Sequence, residues 1–232
     1  DQRTPEGVLP MLLRTRYFDD WLEQVLASGT VHQVVLPAAG FDTRAFRLTW
    51  PAGVRCFEVD RPALLEHKEA ILAAAGARPR CDRRIVAADL ARGWARALVG
   101  AGFDPSQPSG WLLEGLFFYL ATATIPRLLN QVTRLAPPGS RLGFDVINAA
   151  MLTSPWTRSW VDVQAAAGAP WIGTLDDPVG FLAARGWQAT LTQAGQPDAS
   201  HGRWTLPVIP TTMPDMPHDW FVTAQRSGLA AG

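Results

Sequence analysis

The stretch Val34-Val35-Leu36-Pro37-Ala38-Ala39-Gly40-Phe41-Asp42-Thr43-Arg44-Ala45-Phe46-Arg47-Leu48 decides the fold. Gln33 to Leu36 has the apolar, β-branched content of a buried strand. The chain then turns through the small residues Ala38-Ala39-Gly40. Asp42-Thr43 reads as a helix N-cap, and Ala45-Phe46-Arg47-Leu48 as the helix start. Strand, tight turn and helix is the arrangement by which open α/β sheets hold nucleotide-like ligands. The backbone must come close to the ligand, and the helix N-terminus offers free N–H groups. A full G-x-G-x-x-G is absent, so the turn taken alone fits a plain β-turn-α connection equally well.

The residues beyond the turn favour the ligand-binding reading. Phe57-Glu58-Val59-Asp60 closes a second apolar run in acidic residues about 20 positions after Gly40, where dinucleotide-type sites place the carboxylate that accepts hydrogen bonds from ribose. Ile85-Val86-Ala87-Ala88 runs into Asp89-Leu90, and Trp111-Leu112-Leu113 into Glu114-Gly115. Any one of these carboxylates fits a cap or a solvated loop. Three at successive strand ends point to one crevice at the carboxyl edge of a parallel sheet.

The series QVVLPAAGFDTRAFRL, FEVDRP with Lys68 after it, VAADL, WLLEGLFFYL and APPGSRL resembles the motif series of the leucine carboxyl methyltransferase family. The likeness is nearest to the high-GC bacterial branch assigned S-adenosylmethionine-dependent O-methyltransferase activity. It covers residues 14 to 146 and, more loosely, WFVTAQR near the end. The family includes protein-phosphatase carboxyl methyltransferases and carboxyl or hydroxyl methyltransferases of polyketide pathways. The resemblance implies a doubly wound, Rossmann-like sheet of about seven strands, mostly parallel with the last antiparallel, in a single domain over 1–232. It implies S-adenosylmethionine as cofactor, with Ala38 and Gly40 in the binding turn. It puts Asp60 on the ribose with Glu58 as fallback, Asp89 on the adenine amino group with Leu90 beside the ring, and Glu114 on the α-amino group. Arg16, in RTRYFDDWL, matches the arginine that meets the cofactor carboxylate, a task suited to the guanidinium fork. Arg14 is expected to be an exposed helix residue. Tyr119 matches a tyrosine lining the transfer site. Family members commonly have Gly-Ala-Gly in the turn, so Ala38 needs a backbone angle that alanine tolerates.

Composition bounds the rest. The chain has 232 residues, 47% of them hydrophobic, which suits one α/β domain with a sizeable core. Its 21 basic and 21 acidic residues give no reason to expect nucleic acid or an anionic membrane surface as partner. Cys56 and Cys81 read as buried thiols of a reducing cytoplasm. No apolar run reaches the ~20 residues of a membrane span, and no signal peptide is apparent. The sequence begins with Asp1, so a trimmed N-terminus is one expectation. The oligomeric state is not legible.

In chain order, residues 1 to 7 read as an arm and Val8 to Ser28 as a helix ended by Gly29. Pro62 to Ala75 is a predicted helix with proline near N1, carrying Lys68 as a salt-bridge partner. Trp94 to Gly100 and Thr122 to Leu135 are predicted helices, and Arg141 to Ile147 is the fifth strand. Residues 148 to 180 break the βα rhythm and read as a helical lid. Pro178 to Arg185 is a predicted helix, Trp187 to Thr192 a strand, 194 to 217 a long loop, and Trp220 to Gln225 the last strand. The tail from Ser227 is expected to fray.

The four histidines and two cysteines form no metal set. Transfer of a methyl group from a sulfonium suits this, since the cofactor carries the electrophile and the protein aligns the partners. The expected acceptor is a small aromatic or polyketide-like molecule with a carboxylate or hydroxyl. It would lie between Tyr119 and the Met151–Trp171 segment, with Trp156 and Trp160 as walls and Arg158 as a carboxylate anchor. The plainer reading packs Trp156 and Trp160 into the core. His201 is the one histidine placed to act as a base for a hydroxyl acceptor, though a solvent-exposed loop residue fits it as well. The competing function is a non-catalytic nucleoside-binding module.

Overall fold

A computed structural model describes residues 5–213 and 215–228, with side chains from Leu9 onward. Its elements in order are α1 (Pro5–Ala27), β1 (Gln33–Pro37), α2 (Arg44–Arg47), β2 (Arg55–Asp60), α3 (Pro62–Ala74), β3 (Asp82–Ala87), α4 (Trp94–Gly100), β4 (Gly110–Leu113), α5 (Ile125–Leu135), β5 (Arg141–Ile147), α6 (Ala149–Thr153), α7 (Arg158–Ala166), α8 (Pro178–Ala183), β6 (Trp187–Thr192), α9 (Pro197–Ser200) and β7 (Asp219–Arg226). Seven strands make one sheet in the order β3-β2-β1-β4-β5-β7-β6. The expected arm is corrected from Pro5 onward, because helix α1 already begins there; residues 1–4 and 229–232 lie outside the described residues.

The chain divides into two compact units. One comprises Asp19–Leu113, Asn130–Leu142 and Gln225–Gly232. In it β1 pairs in parallel with β2 on one side and β4 on the other, with Val34 opposite both Cys56 and Gly110. All five residues of β1 are buried. That explains its unbroken apolar run, because a central parallel strand has no solvent face. The order reverses at β1, where β2 lies on one side and β4 on the other; in open sheets this switch point is where ligands bind, outside the carboxyl ends of the strands. Behind the strands, Phe57, Phe103, Trp111 and Trp94 form a chain of edge-on rings with centroids 5.4 to 6.1 Å apart.

The other unit comprises Asp1–Phe18, Glu114–Leu129 and Gly143–Ala224. Tyr17 and Phe18 of α1 pack on Phe221 of β7, and Phe117 packs on Phe144 of β5. Hydrogen bonds from Asn148 N to His218 O, and in the first-described unit from Arg226 N to Ser140 O, fix β7 antiparallel to β5. That register puts Ile147 opposite Asp219 and Asp145 opposite Phe221. Since side chains alternate with period two, Asp145 and Asp219 are diagonal neighbours on one face.

The segment expected to be a lid holds two helices. α6 is capped by Asn148, whose side chain accepts from Met151 N. α7 buries none of its residues. Among the aromatics of this region, Trp171 alone is packed inward, stacking on Phe118 at 5.1 Å beside Ile147 and Met151.

Candidate active site

The β1 turn is a strained one. Ala38 sits at φ 56°, in the left-handed region, and Gly40 at φ 46°. An alanine there costs roughly 1–2 kcal/mol, since its Cβ crowds the next carbonyl. A Cβ on Gly40 would meet only Ala38 O, at 3.8 Å. Gly40 is therefore required by its backbone angle, and the space beside it is open. The turn is held from β2: Asp60 Oδ2 accepts from Gly40 N at 2.7 Å, and Oδ1 accepts from Arg61 N at 2.7 Å. It is held from below by Arg44, a buried guanidinium that donates to Asp42 and to Asp19 Oδ1. Asp42 also accepts from Arg44 N at 2.6 Å, and Thr43, the N-cap by position, makes no side-chain cap bond. Helix α2 beyond it is one turn long. Nothing local to Arg44 marks it as the anchor of this turn, since a basic residue beside a cap ordinarily reads as solvated.

Glu58, the expected fallback for the ribose, is engaged elsewhere. It is fully buried, with Oε2 bonded to Lys68 Nζ at 2.6 Å and to Arg83 Nη2 at 2.7 Å, and Oε1 to Arg83 Nε at 2.9 Å. Arg83 also bonds Glu69. Lys68 is the salt-bridge partner expected of it. Asp89 is exposed at the end of β3, its Oδ1 accepting from Ala91 N in an Asx turn, and Leu90 is half-buried beside it.

In the second unit Glu114 sits at the turn after β4. Its Oε1 accepts from Arg14 Nε at 3.0 Å and from Thr15 Oγ1 at 2.9 Å. Arg14 Nη1 donates to Asp145 Oδ2 at 2.8 Å, while Asp145 Oδ1 accepts from Gly115 N at 2.6 Å. Gly115 sits at φ 66°, and a Cβ there would press on the Arg14 guanidinium, 3.2 Å from Nη2. Arg14 is thus no exposed helix residue, and that expectation is corrected; its side chain is 21% exposed and gripped by two carboxylates. Arg16, two positions on, is exposed. Two residues are about 200° around a helix, so the Cα–Cβ bonds of Arg14 and Arg16 leave α1 on different faces.

A third acid completes this group. Part of the Asp219 residue is exposed, but its Oδ1 is buried and has no hydrogen-bond partner. Burial, then the negative charge of Asp145, pushes its carboxyl up to about 7, with Arg14 opposing. Asp145 is raised as well, by burial first and by Glu114, again against Arg14. Burial disfavours the Arg14 charge, but Asp145, Glu114 and Asp219 together more than offset it and hold the guanidinium above its ordinary range. Sequence reasoning misses both aspartates. Asp145 lies inside a strand that reads as core, and Asp219 stands one residue before the predicted start of the last strand.

The residues expected around an acceptor do not share one cavity. Tyr119 is 44% exposed, on a single 3-10 turn beside Phe118. Trp156 is 73% and Trp160 42% exposed, which overturns the core-packing alternative for both. Trp156 lines a cavity of about 280 Å³ with Thr153, Ser154, Asp215, Met216 and Pro217, to which Tyr119, Arg158 and Trp160 contribute nothing. Arg158 is exposed at the start of α7. His201 is exposed at φ 47° on the turn after α9. Among the described residues no group of three or more His, Cys, Asp or Glu is arranged to hold a metal ion.

The fold, an open sheet with a switch point, is shared with solved structures, a methyltransferase among them. A DUF574 family protein of Streptomyces avermitilis matches with TM-score 0.63 at 16% identity, covering 93% of this chain and 83% of its own. Magnesium protoporphyrin IX methyltransferase of Synechocystis, solved with bound SAH, matches with TM-score 0.58 at 12% identity, covering 98% and 90%. At such identities the likeness concerns the fold alone. Residues 1–133 match the model of the leucine carboxyl methyltransferase family, and the chain belongs to that family. A relative in Mycolicibacterium paratuberculosis, named for S-adenosyl-L-methionine-dependent methyl transfer, is 40% identical over 94% of this chain and 72% of its own. Relatives of the same designation in Mycolicibacterium vanbaalenii and Parafrankia are 39% and 53% identical, and the chain spans 66% and 43% of their lengths.

Proposed function

We propose that the chain is an S-adenosylmethionine-dependent methyltransferase acting on a carboxylate or hydroxyl oxygen of a small molecule. The observation that carries this reading is the Glu114 cluster: one arginine against three carboxylates, with a buried oxygen of Asp219 unpartnered. Such a set fits the charged amino-acid end of the cofactor, because an ammonium supplies the missing positive charge. The open space beside Gly40 fits close approach of a ligand to backbone. When bound, S-adenosylmethionine supplies the electrophilic methyl group on its sulfonium.

This reading sets the residue roles. Asp60 is the ribose acceptor, since Glu58 is consumed by Lys68 and Arg83. Each Asp60 oxygen already takes one backbone N–H and keeps a further lone pair for a hydroxyl. Asp89 and the Leu90 backbone frame the adenine edge. Glu114 takes the α-ammonium. Arg14 takes over the role that the resemblance gives to Arg16, because the carboxylate and ammonium of an amino acid share one carbon and Arg14 is the arginine beside Glu114. Tyr119 lines the transfer site. The protein's contribution to the chemistry is alignment and exclusion of water.

For the acceptor, the exposed rings of Tyr119, Trp156 and Trp160 suit contact with a flat apolar molecule, although of the three only Trp156 lines the cavity described above. Asp215 in the Trp156 cavity disfavours an anionic acceptor there, and Arg158 lies outside that cavity, so a hydroxyl acceptor fits it better than a carboxylate. Calorimetry with S-adenosylhomocysteine tests the cofactor reading. Glu114→Ala and Asp89→Ala should each bind more weakly, by about 10- to 100-fold for loss of a hydrogen bond to a charged group. Unchanged affinity in both would remove the assignment. Turnover of S-adenosylmethionine with any small aromatic acid or phenol separates an enzyme from a module that only binds nucleosides.

A further inference from the structure

The Glu114 cluster sets Arg14 beside three carboxylates, Glu114, Asp145 and Asp219. Arg14 Nε and Nη1 are spent on Glu114 and Asp145. Asp145 is satisfied on both oxygens, by Arg14 and by Gly115 N. Asp219, its diagonal neighbour on the next strand, adds a third carboxylate whose Oδ1 is buried with no partner. An unpaired buried charge of this kind costs several kcal/mol, so the arrangement persists in one of two ways. Either the cluster holds a proton, or a cationic group completes it.

We infer that Asp219 is the third carboxylate of an ammonium site, and that an amino-acid ligand entering the cluster displaces one proton from it to solvent. The inference rests on the cofactor reading above and goes beyond it by making cofactor binding proton-linked. No covalent bond changes other than that O–H: the Asp219 proton passes to buffer, and the carboxylate so formed faces the incoming ammonium. Burial and the charge of Asp145 push the Asp219 carboxyl up to about 7, so at neutral pH and below a proton is available to leave.

The groups around Asp219 are accounted for on every element beside it. From α1 comes Arg14, with Tyr17 turned to Thr192 Oγ1 and Phe221. From the turn after β4 comes Glu114, and from β5 Asp145. Asp176, near the end of β5, is occupied by Ala149 N. β6 carries no titratable side chain. On β7's own approach, His218 has its ring nitrogens on Gln193 Oε1 and Met213 O and stacks on Trp220.

The direction comes from linkage. A bound cation favours ionised Asp219, so its pKa falls on binding. Affinity then rises with pH by up to about tenfold per unit below 7 and levels off above it. The test is titration calorimetry of the full chain with S-adenosylhomocysteine between pH 5.5 and 7.5, in buffers of different ionisation enthalpy. In this range the ligand's own α-amino group stays largely protonated. The expected result is release of close to one proton at pH 6 and a rise in affinity towards pH 7. Methylthioadenosine, which lacks the amino-acid end, should bind with neither. Asp219→Asn should abolish the proton release and flatten the profile for S-adenosylhomocysteine. Equal pH profiles for the two ligands in the unmodified protein would overturn the inference even if the variant does not fold. So would proton release that persists in Asp219→Asn. If S-adenosylhomocysteine binds without pH dependence, the cofactor reading stands and this inference falls; if it does not bind at any pH, both fall.

Discussion

The clusters around Glu58 and around Glu114 are assembled from the same parts. Around Glu58, two cations, Lys68 and Arg83, meet two carboxylates, Glu58 and Glu69, and both oxygens of Glu58 are bonded. Around Glu114, Arg14 pairs with two carboxylates, Glu114 and Asp145, and Asp219 adds a third with one buried oxygen left without a partner. Both acids lie in or just after a strand, and from sequence both look like ligand contacts. The difference lies in charge balance. A balanced set fastens β2 to α3 and β3. A set short of positive charge is costly as it stands, and on the reading proposed above a ligand completes it.

Removing the cation is the sharpest way to break that comparison. Arg14→Ala leaves three carboxylates facing one another and should cost about 3–5 kcal/mol of stability, together with the binding of S-adenosylhomocysteine. Glu58→Ala strands Lys68 and leaves Arg83 only Glu69, and should cost a similar amount, yet leave the affinity of the folded molecules unchanged. Denaturant unfolding with parallel calorimetry reads both. If Glu58→Ala weakens binding as much as Arg14→Ala, the two clusters do not divide the labour as described.

Asp219 gives the next largest effect. Its folded pKa of about 7 lies above the ~3.9 of an unfolded aspartate, so the folded state holds the extra proton between those values. Stability from this group is therefore fully present below about pH 4 and is lost as pH rises towards 7, by at most about 4 kcal/mol. Asp219→Asn should remove most of that slope and be more stable than the parent at pH 8. Unfolding curves at pH 4.5 and pH 8 decide it; a variant less stable at pH 8 would show that the ionised carboxylate is needed by the fold.

Smaller effects sharpen the picture. Ala38→Gly should raise stability by about 1 kcal/mol or less, relief at the left-handed angle being partly cancelled by glycine's freedom in the unfolded chain. The same change at Ala39 should lower it. His201→Ala should leave the methyl-transfer rate within about twofold, since a histidine on an exposed turn is poorly placed as a base. A loss of about 10²–10⁴-fold would restore it as one.

The strand-and-turn grammar is largely legible in the sequence. Helix Trp94–Gly100 and strands Arg141–Ile147 and Trp187–Thr192 have the bounds that their apolar patterns predict, because period and caps are local properties. Gly40 stands out as a turn residue, and its backbone angle agrees. The partner of a buried charge is not a local property. Glu58 and Asp60 alternate onto one side of β2, but Lys68 and Arg83, which settle the fate of Glu58, come from α3 and β3. Arg14 and Arg16 are indistinguishable until α1 is rotated against Glu114 and Asp145. Asp219 is unreadable for a stricter reason: its significance depends on an antiparallel register with β5 that nothing in its own neighbourhood specifies.

That register also bears on the order of assembly. Arg14, Glu114 and Asp145 belong to elements that leave the ribosome well before β7, and without β7 the cluster has one cation for two carboxylates. The surplus acid arrives only when β7 slides in between β5 and β6. Long-range strand insertion is a late and slow event in sheet proteins, because the loop must be closed before the pairing repays it. Until β7 docks, the chain carries a quieter ion pair with little call for an external cation. The proposed affinity for an ammonium would thus be a property the protein acquires last, and a nascent or partly unravelled molecule would leave the ligand to its fully assembled copies.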